Sequence, residues 1–342
     1  MGISYKTENR LQWVDVAKGI AILMVMWGHT VVKHDSIYRW ITTIHVPTFL
    51  VITGYLYGIN NKQNYGAKKS AMKLIKPYLV FSMISYCTDF IYGYLSLKSV
   101  HSAFRIVGID IYKTLTLYGV HALWYLPAYV ISSKLFFSIK KRINYLIAIL
   151  MAFVGIMFDF LSPHVKDCVP SLAYMLVSIP LVTIVRALVC TVFISFGYAF
   201  SKMGVRRFSE KSTWIKSGMS CLLLVMSFVI SLANTESNFS IVSFGKNPIC
   251  FFLSALLGSV GLMALSSAIQ PKLNVLQYFG RNSLILLVTH HSLKFTFLVR
   301  FITGLFLSEE SLAFGLIALL FLTIAESLII EVCNTKIQRL FS

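Results

Sequence analysis

The chain of 342 residues is 57% hydrophobic and only 13% charged. A soluble protein of this size needs more polar groups to cover its surface, so the composition excludes a soluble globular domain and predicts a polytopic membrane protein. A net charge of +18 also occurs in nucleic-acid-binding proteins. Here the Lys and Arg residues lie mostly between apolar segments, which indicates a lipid bilayer as the partner and argues against nucleic acid.

Apolar segments long enough to cross a hydrocarbon core of about 30 Å recur along the whole chain. They predict an all-α bundle of about ten transmembrane helices in one membrane domain, residues 1–342. The predicted spans are 13–32, 41–59, 77–97, 119–137, 143–161, 181–200, 215–233, 248–269, 283–302 and 312–332. The first follows Lys6 and Arg10 but is too long for a signal peptide, and we expect it to be retained.

The distribution of basic residues predicts the orientation of the bundle. With the N-terminus inside, twenty of the 31 Lys and Arg residues fall in cytoplasmic segments and nine in outer ones, which places both termini in the cytoplasm. Segment 171–200 leaves an alternative open, because Pro180 and Arg186 interrupt it and it can form one span with a re-entrant piece or two spans. Two spans would put the basic segment 202–216 outside, which favours one.

Lys18 and His29 are ionisable residues in the otherwise apolar segment 13–32, where a charged group is costly. At 100° per residue, their spacing brings both side chains to one stripe of a helix, about 16 Å apart along its axis, with Asp15 near the same stripe. A helix that serves only as an anchor carries no such residues, so they predict a polar cavity. The alternative is that Lys18 snorkels to one membrane edge while His29 sits at the other.

In this topology, polar residues from several spans collect near the outer side of the membrane. They are His29, His45, His121, Trp124 and Arg186, at the outer ends of spans one, two, four and six. Groups that several helices bring to similar depth are typical of a site in the core of a bundle. Taken singly, Trp124 also suits an interfacial aromatic belt, His45 a helix cap and Arg186 a contact with headgroups.

Near the cytoplasmic side, basic residues and a helix start form candidate sites for phosphates, which free backbone N–H groups and the helix dipole favour. The candidates are Lys18, Lys68, Lys69, Lys73, Lys76, Arg281 and Ser283, the last two in the turn that opens the ninth span. Ordinary positive-inside charge explains the run 68–76 equally well. His290 lies more than one turn inside the ninth span and cannot easily snorkel, so we expect it to line the cavity.

Five segments, in the right order along most of the chain, resemble motifs of the acyltransferase-3 membrane family. Lys18 and His29 in WVDVAKGIAILMVMWGH resemble its Arg-x10-His signature, with Lys keeping the charge of Arg but losing the bidentate fork. The other segments are IHVPTFLVITGYLYG at 44–58, LWYLP at 123–127, Arg186 with Phe193 and Gly197–Tyr198, and GRNSLILLVTH at 280–290. The chain most resembles the fucose O-acetylase-like and polysaccharide acetylase branch of the family.

The resemblance implies a bacterial plasma-membrane enzyme that transfers an acetyl group from acetyl-CoA to a hydroxyl of a surface glycan or lipid-linked sugar. We then expect His29 to be the general base and later to protonate the leaving thiolate, directly or through an acyl-histidine. Arg186 and His45, ahead of Trp124, are the candidate oxyanion donors. Lys18 would hold a donor phosphate or carbonyl. No metal is expected, because the six cysteines show no ligand spacing.

The remaining candidates for substrate binding are Asp15, Trp124, His121 and His290. A transporter or flippase for a glycan or lipid-linked sugar would show similar spans, intramembrane charges and a cavity. Such proteins often contain internal repeats, and the two halves of this sequence show no convincing similarity. A purely structural membrane subunit is disfavoured by polar residues at matched depth on several helices.

Overall fold

The structure is a computed structural model that describes residues 11–31, 36–59, 73–139, 145–203, 212–269, 274–309 and 311–336. Within these ranges the chain forms thirteen α-helices and no β-strand longer than an isolated bridge, which confirms the all-α fold. The helices are α1 Gln12–Gly28, α2 Ser36–Ile59, α3 Ile75–Leu97, α4 Val100–Leu115, α5 Tyr125–Ile139, α6 Tyr145–Cys168, α7 Ser171–Lys202, α8 Thr213–Leu232, α9 Pro248–Ile269, α10 Asn274–Arg281, α11 Ser283–Ser292, α12 Phe295–Gly304 and α13 Leu312–Lys336. Two 3-10 turns, His121–Trp124 and Phe239–Ile241, precede α5 and α9.

Six of the described helices are long and apolar enough to cross a membrane: α5 with the turn before it, α6, α7, α8, α9 and α13. Helices α11 and α12 form a seventh candidate together, bent by 65° between them. The predicted spans on α1, α2 and α3 are not among these; α1 has only 17 residues, and all three carry polar side chains that line a cavity. The number of ten spans and the cytoplasmic termini therefore stay predictions.

Segment 171–200, for which the sequence left two alternatives, forms one continuous helix, α7, which passes through Pro180 without a break. Residue Arg186 lies inside this helix and is fully buried. Because the helix does not turn back on itself, the structure favours the single span over the pair of spans.

Helices α2 and α7 pack with their backbones in direct contact. A Cβ atom on Gly54 would lie 1.9 Å from the carbonyl oxygen of Ile194, and one on Gly197 would lie 2.0 Å from that of Val51. Any side chain at either position would push the helices apart. The Gly-Tyr pairs in two of the sequence motifs are thus helix-packing positions.

Helices α1 and α10 make a similar contact, which fixes the start of α11. A Cβ atom on Gly280 would lie 1.7 Å from the carbonyl oxygen of Asp15, and one on Gly19 would lie 2.0 Å from that of Leu276. Helix α11 begins three residues after Gly280. The glycine of the fifth motif therefore holds the N-terminus of α11 close to α1.

Two buried apolar clusters surround the centre of the bundle. One joins α2, α5, α7 and α9 and includes Leu50, Phe193 and Phe251. The other joins α1, α11 and α13 and includes Met26 and Phe314. Members of both clusters line the same cavity, so the cavity lies where they meet.

Helix α6 lies at the periphery, and most of its side chains are exposed. It packs on α7, where the Cβ position of Gly155 falls against Val189. Its Asp159 carboxylate accepts a hydrogen bond of 2.8 Å from the backbone N–H of Phe244. This bond connects α6 to the loop that contains the second 3-10 turn.

Candidate active site

A cavity of about 920 Å³ lies among α1, α2, α3, α5, α11 and α12, large enough for a substrate of moderate size. Its wall carries four imidazoles and four charged groups. They are His29, His45, His121, His291, Lys18, Asp89, Lys294 and Arg300. Aromatic rings from α2, α3, the first 3-10 turn and α5 cover much of the remaining wall.

One face of α1 lines this cavity along most of the helix. Lys18, Ile22, Val25 and His29 are all on the wall, at the three- and four-residue spacing that one helix face requires. His29 is the residue directly after the last helical position, Gly28. The structure thus places Lys18 and His29 in one cavity, as their spacing predicts.

The Lys18 end of the cavity also receives the N-terminus of α11, since Ser283 is on the wall. A helix N-terminus beside an ammonium group favours an anion. Lys73 and Lys76 are exposed near the start of α3. Lys69 and Lys68 lie outside the described residues.

Asp15 and Arg281 contact each other outside the cavity wall. Arg281 Nε donates to Asp15 Oδ2 at 3.3 Å, and its Nη2 donates to Gln277 at 3.3 Å. The guanidinium is about half exposed, whereas Asp15 is buried. Asp15 therefore holds α10 against α1, and Arg281 is at the surface near the end of the cavity that contains Ser283.

Three further histidine rings lie near His29, at the other end of α1 from Lys18. The ring centroid of His29 lies 5.3 Å from that of His290 and 5.3 Å from that of His291. The ring of His121 stacks on His291 at 4.4 Å, with an angle of 19° between the planes. Helices α1 and α11 and the first 3-10 turn thus bring these imidazoles together.

His290 and His291 lie in different surroundings, because neighbouring residues point to different sides of a helix. His290 is fully buried, and its Nδ1 donates to the carbonyl oxygen of Leu286 at 2.6 Å. His291 is on the cavity wall. The structure therefore puts His291 on the wall, and His290 behind it in contact with His29.

Asp89, His121 and Lys294 form a polar cluster on the same wall. Asp89 Oδ2 accepts a hydrogen bond of 2.8 Å from His121 Nε2, and its Oδ1 accepts one from Lys294 Nζ. The ammonium is 3.3 Å from His121 Nε2 and 5.7 Å from the ring centre of Tyr92. These residues come from α3, the first 3-10 turn and the break between α11 and α12.

Two more of the predicted residues, His45 and Trp124, line the same cavity. His45 is on the wall, and its Nδ1 donates to the carbonyl oxygen of Ile41 at 2.6 Å. In the neutral imidazole the other nitrogen, Nε2, is then an acceptor. Trp124 is on the wall as well.

Arg186 lies behind Trp124 and is fully buried. Its Nη1 donates to the carbonyl oxygen of Tyr118 at 2.9 Å and its Nη2 donates to that of Ser240. The guanidinium carbon lies 4.9 Å from the Trp124 ring and 4.7 Å from the Tyr118 ring. Arg186 therefore holds two stretches of the cavity wall in place and is not itself on that wall.

The sequence profile of the acyltransferase-3 family, described as an acyltransferase domain, matches residues 11–332. The chain belongs to the acyltransferase-3 family. Membership confirms the predicted class of membrane acyltransferase, while the fucose O-acetylase-like branch stays a prediction. No curated protein and no solved structure shows a significant match to the chain.

Four ionisable wall residues of this acyltransferase were not predicted: Asp89, His291, Lys294 and Arg300. Asp89 is the one acidic residue in the predicted span 77–97, and an intramembrane carboxylate of this kind is itself a signal of function. His291 follows His290, and periodicity in a short segment does not distinguish the two. Nothing local in the sequence marks Lys294, which lies in the break between α11 and α12.

Proposed function

We propose that this acyltransferase moves an acetyl group from cytoplasmic acetyl-CoA to a hydroxyl of a cell-surface glycan or lipid-linked sugar. The observation that supports this most directly is that Lys18 and His29 share one face of α1 inside one cavity. The proposal places the protein in the bacterial plasma membrane with about ten spans and both termini in the cytoplasm. It also assigns the protein to the fucose O-acetylase-like and polysaccharide acetylase branch.

The donor would bind from the end of the cavity that contains Lys18 and Ser283. The phosphates of CoA cannot enter hydrocarbon, so they would stay near the N-terminus of α11 and the exposed Lys73 and Lys76, with Lys69 and Arg281 as further candidates. The thin pantetheine arm would follow the wall of α1 inward. Lys18 and His29 are about 16 Å apart along the helix axis, so the arm would carry the thioester towards His29.

His29 is the proposed general base. It takes the proton of the acceptor hydroxyl while the oxygen attacks the thioester carbon, and it returns this proton to the sulfur as the C–S bond breaks. The products are an acetyl ester and CoA with a neutral thiol, so no net proton is released. Tyr92 and Tyr125 on the wall offer flat surfaces to an acceptor sugar.

Trp124 is the best placed of the three predicted donors for the oxyanion of the tetrahedral intermediate. It is on the cavity wall, and an indole N–H is a donor in every protonation state. Arg186 already donates to two backbone carbonyls behind this wall. His45 already uses Nδ1 as a donor to Ile41. We therefore assign oxyanion binding to Trp124 and wall positioning to Arg186.

The test is transfer of radiolabel from [14C]acetyl-CoA to glycan in membrane vesicles that contain the purified protein. His29→Ala should lose transfer by at least about 10²-fold, the usual minimum contribution of a general base. Lys18→Ala should lose transfer as well, because the donor is then no longer held in the cavity. His164→Ala and Lys166→Ala are matched controls, because both side chains are exposed on α6, and they should keep wild-type transfer.

Two results would overturn the proposal. Normal product from purified His29→Ala would exclude this imidazole as the base. Movement of a glycan or lipid-linked sugar across the vesicle membrane, without any transfer of label, would favour the transporter or flippase instead. Mass spectrometry of surface glycans from cells with and without the chain would identify the acyl group and the acceptor.

A further inference from the structure

Two residues of the Asp89–His121–Lys294 cluster have an unusual backbone conformation. His121 has φ of 48° and Lys294 has φ of 59°, in the left-handed region that residues other than glycine rarely adopt. Such a conformation is strained and persists only where the surrounding structure requires it. The fold thus accepts strain at both residues that contact the Asp89 carboxylate.

The hydrogen bonds of the cluster fix the ring of His121. An ionised carboxylate only accepts hydrogen bonds, so His121 Nε2 carries the proton in its bond to Asp89 Oδ2. Lys294 occupies the other oxygen, Oδ1. Each oxygen of the carboxylate therefore accepts a hydrogen bond, and the carboxylate holds the imidazole in one tautomer and one orientation, as orienting carboxylates do in catalytic sites.

Ring contacts continue from this cluster to the proposed base. His121 stacks on His291 at 4.4 Å, and His291 meets His29 edge to face at 5.3 Å and 79°. His29 stands just beyond the last turn of α1, where the helix itself constrains a side chain less. The stacked pair therefore supplies a wall against which the His29 ring is held.

We propose that Asp89 and Lys294 are positioning residues that orient the His29 imidazole through His121 and His291. This inference rests on the proposed function, in which His29 is the general base. Asp89 and Lys294 do not touch the reacting atoms in this scheme. They act by keeping the base within reach of the acceptor hydroxyl, where a misplacement of about 1 Å can cost 10²-fold in rate.

Initial rates of [14C]acetyl transfer test this, with acetyl-CoA concentration varied so that kcat and KM are separated. Asp89→Asn and His121→Gln should each lower kcat by about 10- to 100-fold, the usual range for an orienting partner. The KM for acetyl-CoA should not change, because the Lys18 end is intact. Lys294→Met should also lower kcat, and Lys294→Arg should keep most of the wild-type kcat.

Lys166→Met is the matched control for Lys294→Met. Lys166 is exposed on α6 and is not on the cavity wall, so its loss should leave kcat unchanged. The double variant Asp89→Asn/His121→Gln provides a second control. If Asp89 acts through His121, it should be no slower than the slower single variant.

His121→Gln retains the ion pair between Asp89 and Lys294, so it tests the inference even if Asp89→Asn does not fold. Wild-type kcat in His121→Gln, or fully additive losses in the double variant, would overturn the positioning role. A raised KM for acetyl-CoA with unchanged kcat would overturn it as well. Absence of label transfer by the wild-type protein would instead overturn the proposed function, so the two failures are distinguishable.

Discussion

The contact between α2 and α7 gives a prediction whose size follows from the structure. In Gly197→Ala, the new methyl group would lie 2.0 Å from the carbonyl oxygen of Val51, against 3.4 Å or more for an ordinary contact. The obstacle is backbone and cannot rotate away, so the two helices must separate by roughly 1 Å, as in other overpacked contacts. Because α2 carries His45 and α7 carries Arg186, the shift would also reach the cavity wall.

The expected loss of stability is about 2 kcal/mol. Overpacking of this kind costs up to about 3 kcal/mol, and the better helix propensity of Ala returns about 1 kcal/mol. A loss of this size changes the unfolding equilibrium by about 30-fold, since each 1.4 kcal/mol is a factor of ten. The free energy of unfolding can be measured by SDS titration in mixed micelles, with acetyl transfer as a second readout.

Gly218→Ala is the control for the same substitution. Gly218 is an exposed helical position on α8 with no atom within 4 Å of its Cβ position, so Ala should raise stability by up to about 1 kcal/mol. We therefore expect the free energy of unfolding to fall in Gly197→Ala and to rise in Gly218→Ala. A Gly197→Ala protein as stable as the wild type, or an equal loss at Gly218, would refute the reasoning from backbone contact.

Two further substitutions probe the cavity wall and the helix break. Arg186→Met leaves the carbonyls of Tyr118 and Ser240 without their donor, which costs about 1–3 kcal/mol for each carbonyl. The temperature of thermal unfolding and the rate of acetyl transfer should both fall. Wild-type values in Arg186→Lys would contradict the need for a guanidinium that donates to both carbonyls. Thr296→Val removes the 2.8 Å hydrogen bond to the carbonyl of His290 at the break and should cost about 1–2 kcal/mol in unfolding free energy. Thr303→Val on the same helix is its control, because the Thr303 hydroxyl donates to the carbonyl four residues earlier in its own helix. An equal loss there would argue against a special role for the break.

Helical periodicity was predictable from local sequence, whereas the role of the motif glycines in helix packing was not. The spacing of Lys18 and His29 was sufficient to place them on one stripe, and the glycines of the motifs at 44–58 and 280–290 mark backbone contacts that the structure shows. The single helix across Pro180 also agrees with the choice made from the charge distribution. The stripe on α1 depends on residues within a few turns of each other, whereas the glycine contacts join helices that are far apart in the sequence.

The histidine wall was predictable only in part, because it depends on tertiary contacts. Asp89 and Lys294 are 205 residues apart, and no local pattern connects them. The choice between His290 and His291 depends on how α11 is rotated about its axis, and the break that follows the helix leaves too few turns to define an apolar face. The bend of 65° between α11 and α12 was likewise absent from the predicted span 283–302.

The hydrogen bond between Asp159 and Phe244 has a consequence for how the surrounding lipid can influence the enzyme. Helix α6 faces outward along most of its length, yet Asp159 connects it to the loop whose residues 237–240 border the cavity. A bilayer whose thickness does not match α6 changes the tilt of such a peripheral helix. Lipid chain length is therefore expected to alter how the acceptor enters. Vesicles that contain Asp159→Ala, which removes the acceptor oxygen, should respond to chain length less than wild-type vesicles do.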